Sequence, residues 1–203
     1  MIWWREAPAL ALVLAGFAAL AYGAVETSLL GLLPIYAVRT GSTPEGAALL
    51  LSFFGLGNVL LQLPVGWLSD RMDRRRLLLG CAVVGSFGAL ALPSLISQPG
   101  LLAFALVLWG GVVAGMYTIG LAVIAERFSG ADLAAANSAF IFLYGLGMLV
   151  GPPAAGLAMD VWDPHGLPAA IALLFGAYVV VGGVAWWREE GTEPSPEQRP
   201  NEA

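Results

Sequence analysis

The sequence predicts an all-α integral membrane protein with six transmembrane helices. Of its 203 residues, 59% are hydrophobic and only 11% are charged, and the mean hydropathy is +0.80, outside the range of soluble globular proteins. The apolar residues gather in six segments, each long enough to cross a hydrocarbon core about 30 Å thick. In lipid, helices satisfy their own backbone hydrogen bonds, so each segment is predicted to be a helix.

The six segments cover about 8–38, 46–68, 77–96, 101–125, 133–159 and 167–187. The first is too long for a cleavable signal peptide and continues apolar without a convincing cleavage site. Before the second, Ser42 and Glu45 have the spacing of a capping box, and Asp132 is the expected N-cap of the fifth. We expect residues 1–188 to form the transmembrane unit, and the acidic residues 189–203 to form a disordered cytoplasmic tail.

Arginine predicts the orientation of the chain in the membrane. All nine basic residues are arginine; with six spans, eight lie on one side and Arg39 alone on the other. Because loops rich in arginine stay in the cytoplasm, both termini are predicted to be cytoplasmic. We expect the membrane to be a bacterial inner or plasma membrane.

A charged turn interrupts the apolar pattern at residues 66–76, which read GWLSDRMDRRR. It resembles the loop motif G-x-x-x-D-R-x-G-R-R of the major facilitator superfamily. The matching residues are Gly66, Asp70, Arg71, Arg74 and Arg75. Asp73 stands where the motif has its second glycine, although aspartate also tolerates turns.

The fifth segment carries a second resemblance to this superfamily, a glycine–proline run. It consists of Gly147, Gly151, Pro152, Pro153 and Gly156. Glycines four apart let helices approach closely, and prolines interrupt the backbone hydrogen bonds and bend a helix. Close packing alone and a role in gating both fit the run.

The resemblance implies that the chain is one six-helix half of a major facilitator fold, closer to a C-terminal half. It implies transport of a small solute by alternating access, by a secondary active permease of half or truncated size, with proton-coupled efflux as one form of this transport. The implied partners are the lipid bilayer, the solute, and either a second six-helix half or a homodimer partner. A non-transporting membrane structural or assembly subunit, or a nonfunctional fragment, is the alternative.

Other classes of function find no support in the sequence. It has no metal-ligand spacing, no phosphate-binding glycine loop with lysine and no nucleophile elbow. We therefore expect no enzyme activity, no cofactor and no metal. The net charge of −5 also gives no basic face for nucleic acid.

Glu26 is the candidate for proton coupling, because it lies near the centre of the first segment, where an ionised carboxylate is costly. A structural carboxyl buried between helices is the alternative. Tyr22, Trp109, Tyr117 and Thr118 are the candidates for lining a cavity. An aromatic wall opposite an acid suits an amphipathic or cationic organic solute, although aromatics that merely fill a helix interface fit equally well.

The polar residues Asn58, Gln62, Asn137 and Tyr144 are predicted to bond between helices rather than to contact solute. At the cytoplasmic ends, Glu126 and Arg127 face the charged turn. We expect an Asp70–Arg127 pair, and a pair of Glu126 with Arg74 or Arg75, to form a latch that breaks during alternating access. A topology anchor and lipid-headgroup patch is the alternative.

Overall fold

The computed structural model describes residues 8–190, which form six helices joined by short turns. The helices are α1 (Pro8–Arg39), α2 (Pro44–Ser69), α3 (Arg74–Leu95), α4 (Pro99–Arg127), α5 (Gly130–Val161) and α6 (Gly166–Glu190). All six are long and apolar enough to cross a membrane. The predicted six-span all-α fold is confirmed. Residues 191–203 of the predicted tail lie outside the described residues.

The bundle is organised around α1 and α4. These two helices are mostly buried inside the protein, whereas α2 and α5 bury less than a quarter of their most apolar windows. α1 contacts α5, α4, α2 and α6, and α4 contacts α2, α3, α1 and α5. The middle of α1 is therefore reached by side chains from several helices.

Glycines allow the closest helix contacts. A Cβ atom at Gly23 would collide with the backbone oxygen of Tyr144 on α5, and one at Gly147 would collide with the backbone of Leu20 on α1. On the other side of the bundle, a Cβ at Gly57 would overlap the backbone of Val107 on α4. The α1–α5 and α2–α4 pairs therefore pack backbone to backbone, as small residues permit in membranes.

Two predicted helix caps are wrong by one to three residues. α2 is capped by Thr43, whose hydroxyl accepts a hydrogen bond from the Gly46 amide at 3.1 Å, and Ser42 does not have this role. Pro44 explains the shift, since proline is favoured at the first helical position. The N-cap of α5 is Ser129, and Asp132 lies in the first turn instead.

Asp73 caps the start of α3. Its carboxylate accepts a hydrogen bond from the Arg76 amide at 2.9 Å. An aspartate in extended conformation at this position satisfies an amide that the helix leaves unpaired. The departure from the glycine of the motif therefore has a local structural role here.

Candidate functional site

Glu26 is half-buried in α1, about 4 Å along the helix axis from its midpoint. Its neighbours Val25 and Ala24 are buried in the core. A carboxylate at this depth needs hydrogen-bond donors or water around it. The structure supplies two donors.

The first donor comes from the same helix. The Tyr22 hydroxyl, one turn earlier, donates to Glu26 Oε1 at 2.8 Å. The Tyr22 oxygen in turn accepts a hydrogen bond from Asn58 Nδ2 of α2, also at 2.8 Å. Tyr22 is only 5% exposed, so this chain of two bonds fixes one oxygen of the carboxylate from inside the bundle.

The second donor comes from α5. The Tyr144 hydroxyl donates to Glu26 Oε2 at 2.5 Å. This bond depends on the close α1–α5 contact, where Gly23 leaves room for the backbone of Tyr144. Both oxygens of Glu26 therefore accept a phenolic hydrogen bond, each from a different helix.

A third tyrosine completes an aromatic cluster around the carboxylate. Tyr117 of α4 lies with its ring centroid 5.1 Å from that of Tyr144 and 6.0 Å from that of Tyr22. The Tyr22 and Tyr144 rings are stacked at 6.1 Å. We call Glu26, Tyr22, Asn58, Tyr117 and Tyr144 the tyrosine–carboxylate cluster. It draws on α1, α2, α4 and α5.

The other cavity-lining candidates lie differently. Trp109 is 5% exposed, donates its indole N–H to the Gly85 carbonyl of α3 at 3.0 Å and contacts Phe54 of α2. It therefore packs between α4, α3 and α2 rather than in the tyrosine–carboxylate cluster. Thr118 is half-buried beside Tyr117 on α4. A role in lining a cavity stays a prediction for both residues.

The charged turn forms ion pairs and hydrogen bonds within the bundle. Arg74 approaches Glu126 of α4 at 2.9 Å and Asp70 at 3.5 Å. Its guanidinium also donates to the Ala122 carbonyl at 2.9 Å and to the Ser69 carbonyl at 3.4 Å. Arg74 thus ties the α2–α3 turn to the end of α4, through one of the two pairs predicted for Glu126.

The neighbouring arginines have other contacts. Arg75 is 7% exposed and donates to the Gly182 carbonyl of α6 at 3.3 Å. Arg71 lies over the Trp67 ring at 3.7 Å from its centroid. Arg127 is the last residue of α4, and Asp70 lies beside Arg74. The predicted pair of Asp70 with Arg127 stays a prediction.

The motif glycines differ in what surrounds them. A Cβ at Gly147 or Gly151 would overlap the α1 backbone, whereas a Cβ at Gly156 or Gly66 would meet nothing within 4 Å. α5 continues as one helix through Pro152 and Pro153. Close packing therefore explains two of the glycines and leaves Gly156 and Gly66 without a steric requirement.

An apolar cavity of about 320 Å³ lies on another side of α1, between α5 and α6. Leu20, Ala24 and Ser28 of α1 contribute to its wall. The cluster residues Tyr22, Glu26 and Tyr144 do not line it. The polar cluster and this apolar cavity are therefore separate features of the described residues.

Sequence reasoning assigned Asn58 and Tyr144 to packing between helices, and both do bond between helices. Their bonds lead to Glu26, and the sequence offered one signal for this. Asn58 and Tyr144 lie near the middle of α2 and α5, as Glu26 does in α1. Polar residues at matching depth in a membrane bundle tend to find one another.

The fold and the cluster define a class: a membrane-spanning helix bundle that holds a carboxylate among aromatic side chains at mid-depth. Comparison with protein families then identifies the family. The model of the Major Facilitator Superfamily matches residues 15–203, and the chain belongs to that superfamily. This membership points to a membrane transporter rather than to an enzyme.

Individual relatives are similar along most of the chain. An uncharacterized MFS-type transporter, YfkF, of Bacillus subtilis is 28% identical over 177 residues, which are 86% of this chain and 45% of the relative. The uncharacterized MFS-type transporter Ent638_1421 of Enterobacter is 27% identical over 174 residues, 86% of this chain and 44% of the relative. The chain thus spans less than half the length of these curated relatives.

Proposed function

We propose that the chain is one six-helix half of a secondary active transporter that moves a small solute by alternating access, with Glu26 as the proton carrier. The observation that carries this proposal is a single carboxylate at mid-membrane, with both oxygens held by hydroxyl groups from two helices. Such groups in membrane spans mark ion and proton paths. Proton-coupled efflux is the reaction that we infer.

An organic cation is the solute that fits the cluster best. Three tyrosine rings lie within about 6 Å of one another around one carboxylate, and aromatic faces attract cations. The arginines whose side chains the structure describes lie at or beyond the helix ends, at 39, 71, 74, 75, 76 and 127. No described basic side chain therefore neutralises Glu26 at mid-membrane, which leaves this role to a proton or a cationic solute.

A second six-helix unit is the partner that we propose, either another polypeptide or a second copy. The curated relatives are more than twice as long as the matched region. α2 and α5, which carry Asn58 and Tyr144, are the least buried helices. A partner against this face would shield the cluster from lipid, as sites at the interface of repeats are shielded.

The ends of the bundle support a cytoplasmic orientation for both termini. The charged turn and Arg127 lie at one end, where Arg74 joins Glu126. Arg39 lies at the other end, bonded to Asp163 of the α5–α6 turn. We propose that the arginine-rich end faces the cytoplasm, and that the Arg74–Glu126 contact belongs to the proposed latch.

Reconstitution in liposomes tests the function. Ethidium, a fluorescent organic cation, is the probe solute, and a pH-sensitive dye in the lumen reports proton movement. In liposomes with the wild-type protein, we expect ethidium transport in one direction to be accompanied by proton transport in the other. We expect Glu26→Gln to abolish this exchange. Glu45→Gln is the matched control, since Glu45 is exposed in the first turn of α2.

Two results would contradict the proposal. If Glu26→Gln exchanges ethidium for protons as fast as the wild type, Glu26 is not the proton carrier. If the wild type shows no exchange across a panel of organic cations even when it is reconstituted together with the polypeptides that copurify with it, the chain is a structural or assembly subunit.

A further inference from the structure

Both carboxyl oxygens of Glu26 lie within hydrogen-bond distance of a phenol oxygen, that of Tyr22 at 2.8 Å and that of Tyr144 at 2.5 Å. Tyr22 and Tyr144 each donate to one carboxylate oxygen, and Tyr22 also accepts from Asn58. An ionised carboxylate only accepts hydrogen bonds, whereas a neutral carboxyl group must place a proton of its own on one oxygen. If the proton that Glu26 takes up points at one of the two phenol oxygens, that phenol must turn its own proton away.

The surroundings indicate which phenol turns. The Tyr22 hydroxyl is held by Asn58 on its second side, in a side chain that is 5% exposed. Tyr144 is half-buried on α5, the least buried helix. Among residues 8–190, its hydroxyl has one hydrogen bond, the bond to Glu26. A displaced proton of Tyr22 would be buried, where a donor without an acceptor is costly, whereas the Tyr144 hydroxyl belongs to the less enclosed of the two side chains.

We infer that Tyr144 is a positioning residue whose hydroxyl follows the protonation state of Glu26. While Glu26 is ionised, the hydroxyl donates to Oε2. When Oε2 takes up a proton, the new O–H bond of Glu26 occupies that position, and the Tyr144 O–H turns to an acceptor outside the cluster. This inference rests on the proposed function. Through it, one proton on Glu26 would change the direction of the Tyr144 O–H and so the hydrogen-bonding groups that the solute meets.

Among the side chains that the structure describes, the elements packed around Glu26 contribute no other charged group to this step. Tyr22 comes from α1, Tyr117 from α4 and Tyr144 from α5, while α2 contributes the uncharged amide of Asn58. α6 approaches another side of α1, where Tyr178 donates to the Leu14 carbonyl and where the apolar residues Ala170, Ile171 and Leu174 line a cavity together with Ala24 and Val25. Among the described residues, Glu26 is thus the group whose protonation changes the hydrogen bonding of the cluster.

The test measures thermal stability of the purified full chain in detergent at alkaline and acidic pH, so that it does not depend on transport. Tyr144→Phe keeps the ring and removes the hydroxyl. We expect it to lower the melting temperature by about 2–4 °C at alkaline pH, where the lost bond involves a charged group, and by about half as much once Glu26 is protonated and the lost bond joins neutral groups. In a Glu26→Gln background, the pH dependence of its effect should disappear.

Tyr22→Phe is the matched control, because it removes the equivalent hydroxyl on the other oxygen. We expect its effect to persist at acidic pH, since Asn58 then loses its acceptor in either state. Infrared difference spectra of the carboxyl band, assigned with Glu26→Gln, locate the pH range in which Glu26 is protonated.

The inference is overturned if Tyr144→Phe costs the same at both extremes of that range, or if Tyr22→Phe is the pH-dependent variant. Neither result depends on transport. If ethidium exchange fails while the stability pattern appears, the proposed function is wrong and the coupling of Tyr144 to Glu26 stands.

Discussion

Gly151→Ala adds a single methyl group at the α1–α5 crossing, and we expect it to destabilise the protein. The new Cβ would lie 2.5 Å from Cα of Ala24 and 2.8 Å from its carbonyl carbon. These are backbone atoms, so no side chain can rotate to make room. To restore ordinary contact, the two helices must separate locally by about 1 Å.

The same helix offers a matched control in Gly156→Ala. Its Cβ would meet nothing within 4 Å, and alanine is favoured over glycine in a helix by about 0.5–1 kcal/mol. Overpacking of a rigid contact costs about 1–3 kcal/mol. Both variants gain the same helix propensity, so they should differ by the overpacking cost of about 1–3 kcal/mol, or on the order of 5 °C in melting temperature for a chain of this size.

The chain carries its own reporter of unfolding. Cys81 is its single cysteine and is 5% exposed, so a thiol-reactive fluorescent dye labels it as the bundle opens. Heating each purified variant in detergent with this dye gives the melting temperature. Equal melting temperatures for Gly151→Ala and Gly156→Ala would refute the close α1–α5 contact.

Two further predictions concern packing and the charged turn. Trp109→Phe removes the bond to the Gly85 carbonyl and should cost about 1–2 kcal/mol of stability by the same dye assay. An unchanged melting temperature would contradict this packing role, and slower ethidium exchange at wild-type stability would support the predicted cavity-lining role. Arg74→Gln should destabilise the protein by about 1–3 kcal/mol, because it removes the bond to the Ala122 carbonyl as well as the ion pair. Glu126→Gln changes only the exposed partner of that ion pair and should cost less than about 1 kcal/mol. A larger loss of stability in the Glu126 variant would contradict this order.

Much of the fold follows from the apolar composition and from the turn residues between the segments, because the bilayer restricts the backbone to helices. Each apolar segment longer than the hydrocarbon core must be a helix, so the number of helices is predictable. The caps were less predictable, as Thr43 and Asp73 show. Several residues near each turn can accept the same amide hydrogen bond, and the backbone angles decide among them.

The residues that α1 contributes to the candidate site were predictable from the sequence, and the contacts from other helices were not. Glu26 is conspicuous because charge is rare in a membrane span, and Tyr22 follows from helical spacing. Tyr144 comes from another helix, 118 residues away, and its contact depends on how α5 crosses α1. The helical position of Trp109 on α4 likewise did not predict that its indole N–H bonds to the Gly85 carbonyl of α3.

The glycines at the α1–α5 crossing connect the packing of the bundle to the chemistry of Glu26. Gly23 accommodates the backbone of Tyr144 itself, so the distance between the two helices sets the reach of the Tyr144 hydroxyl. A separation of about 1 Å would stretch its 2.5 Å bond to Glu26 beyond ordinary hydrogen-bond length. Gly151→Ala should therefore weaken the pH dependence of Tyr144→Phe as well as lower stability, and an unchanged pH dependence in the double variant would show that the tyrosine–carboxylate cluster does not depend on the crossing.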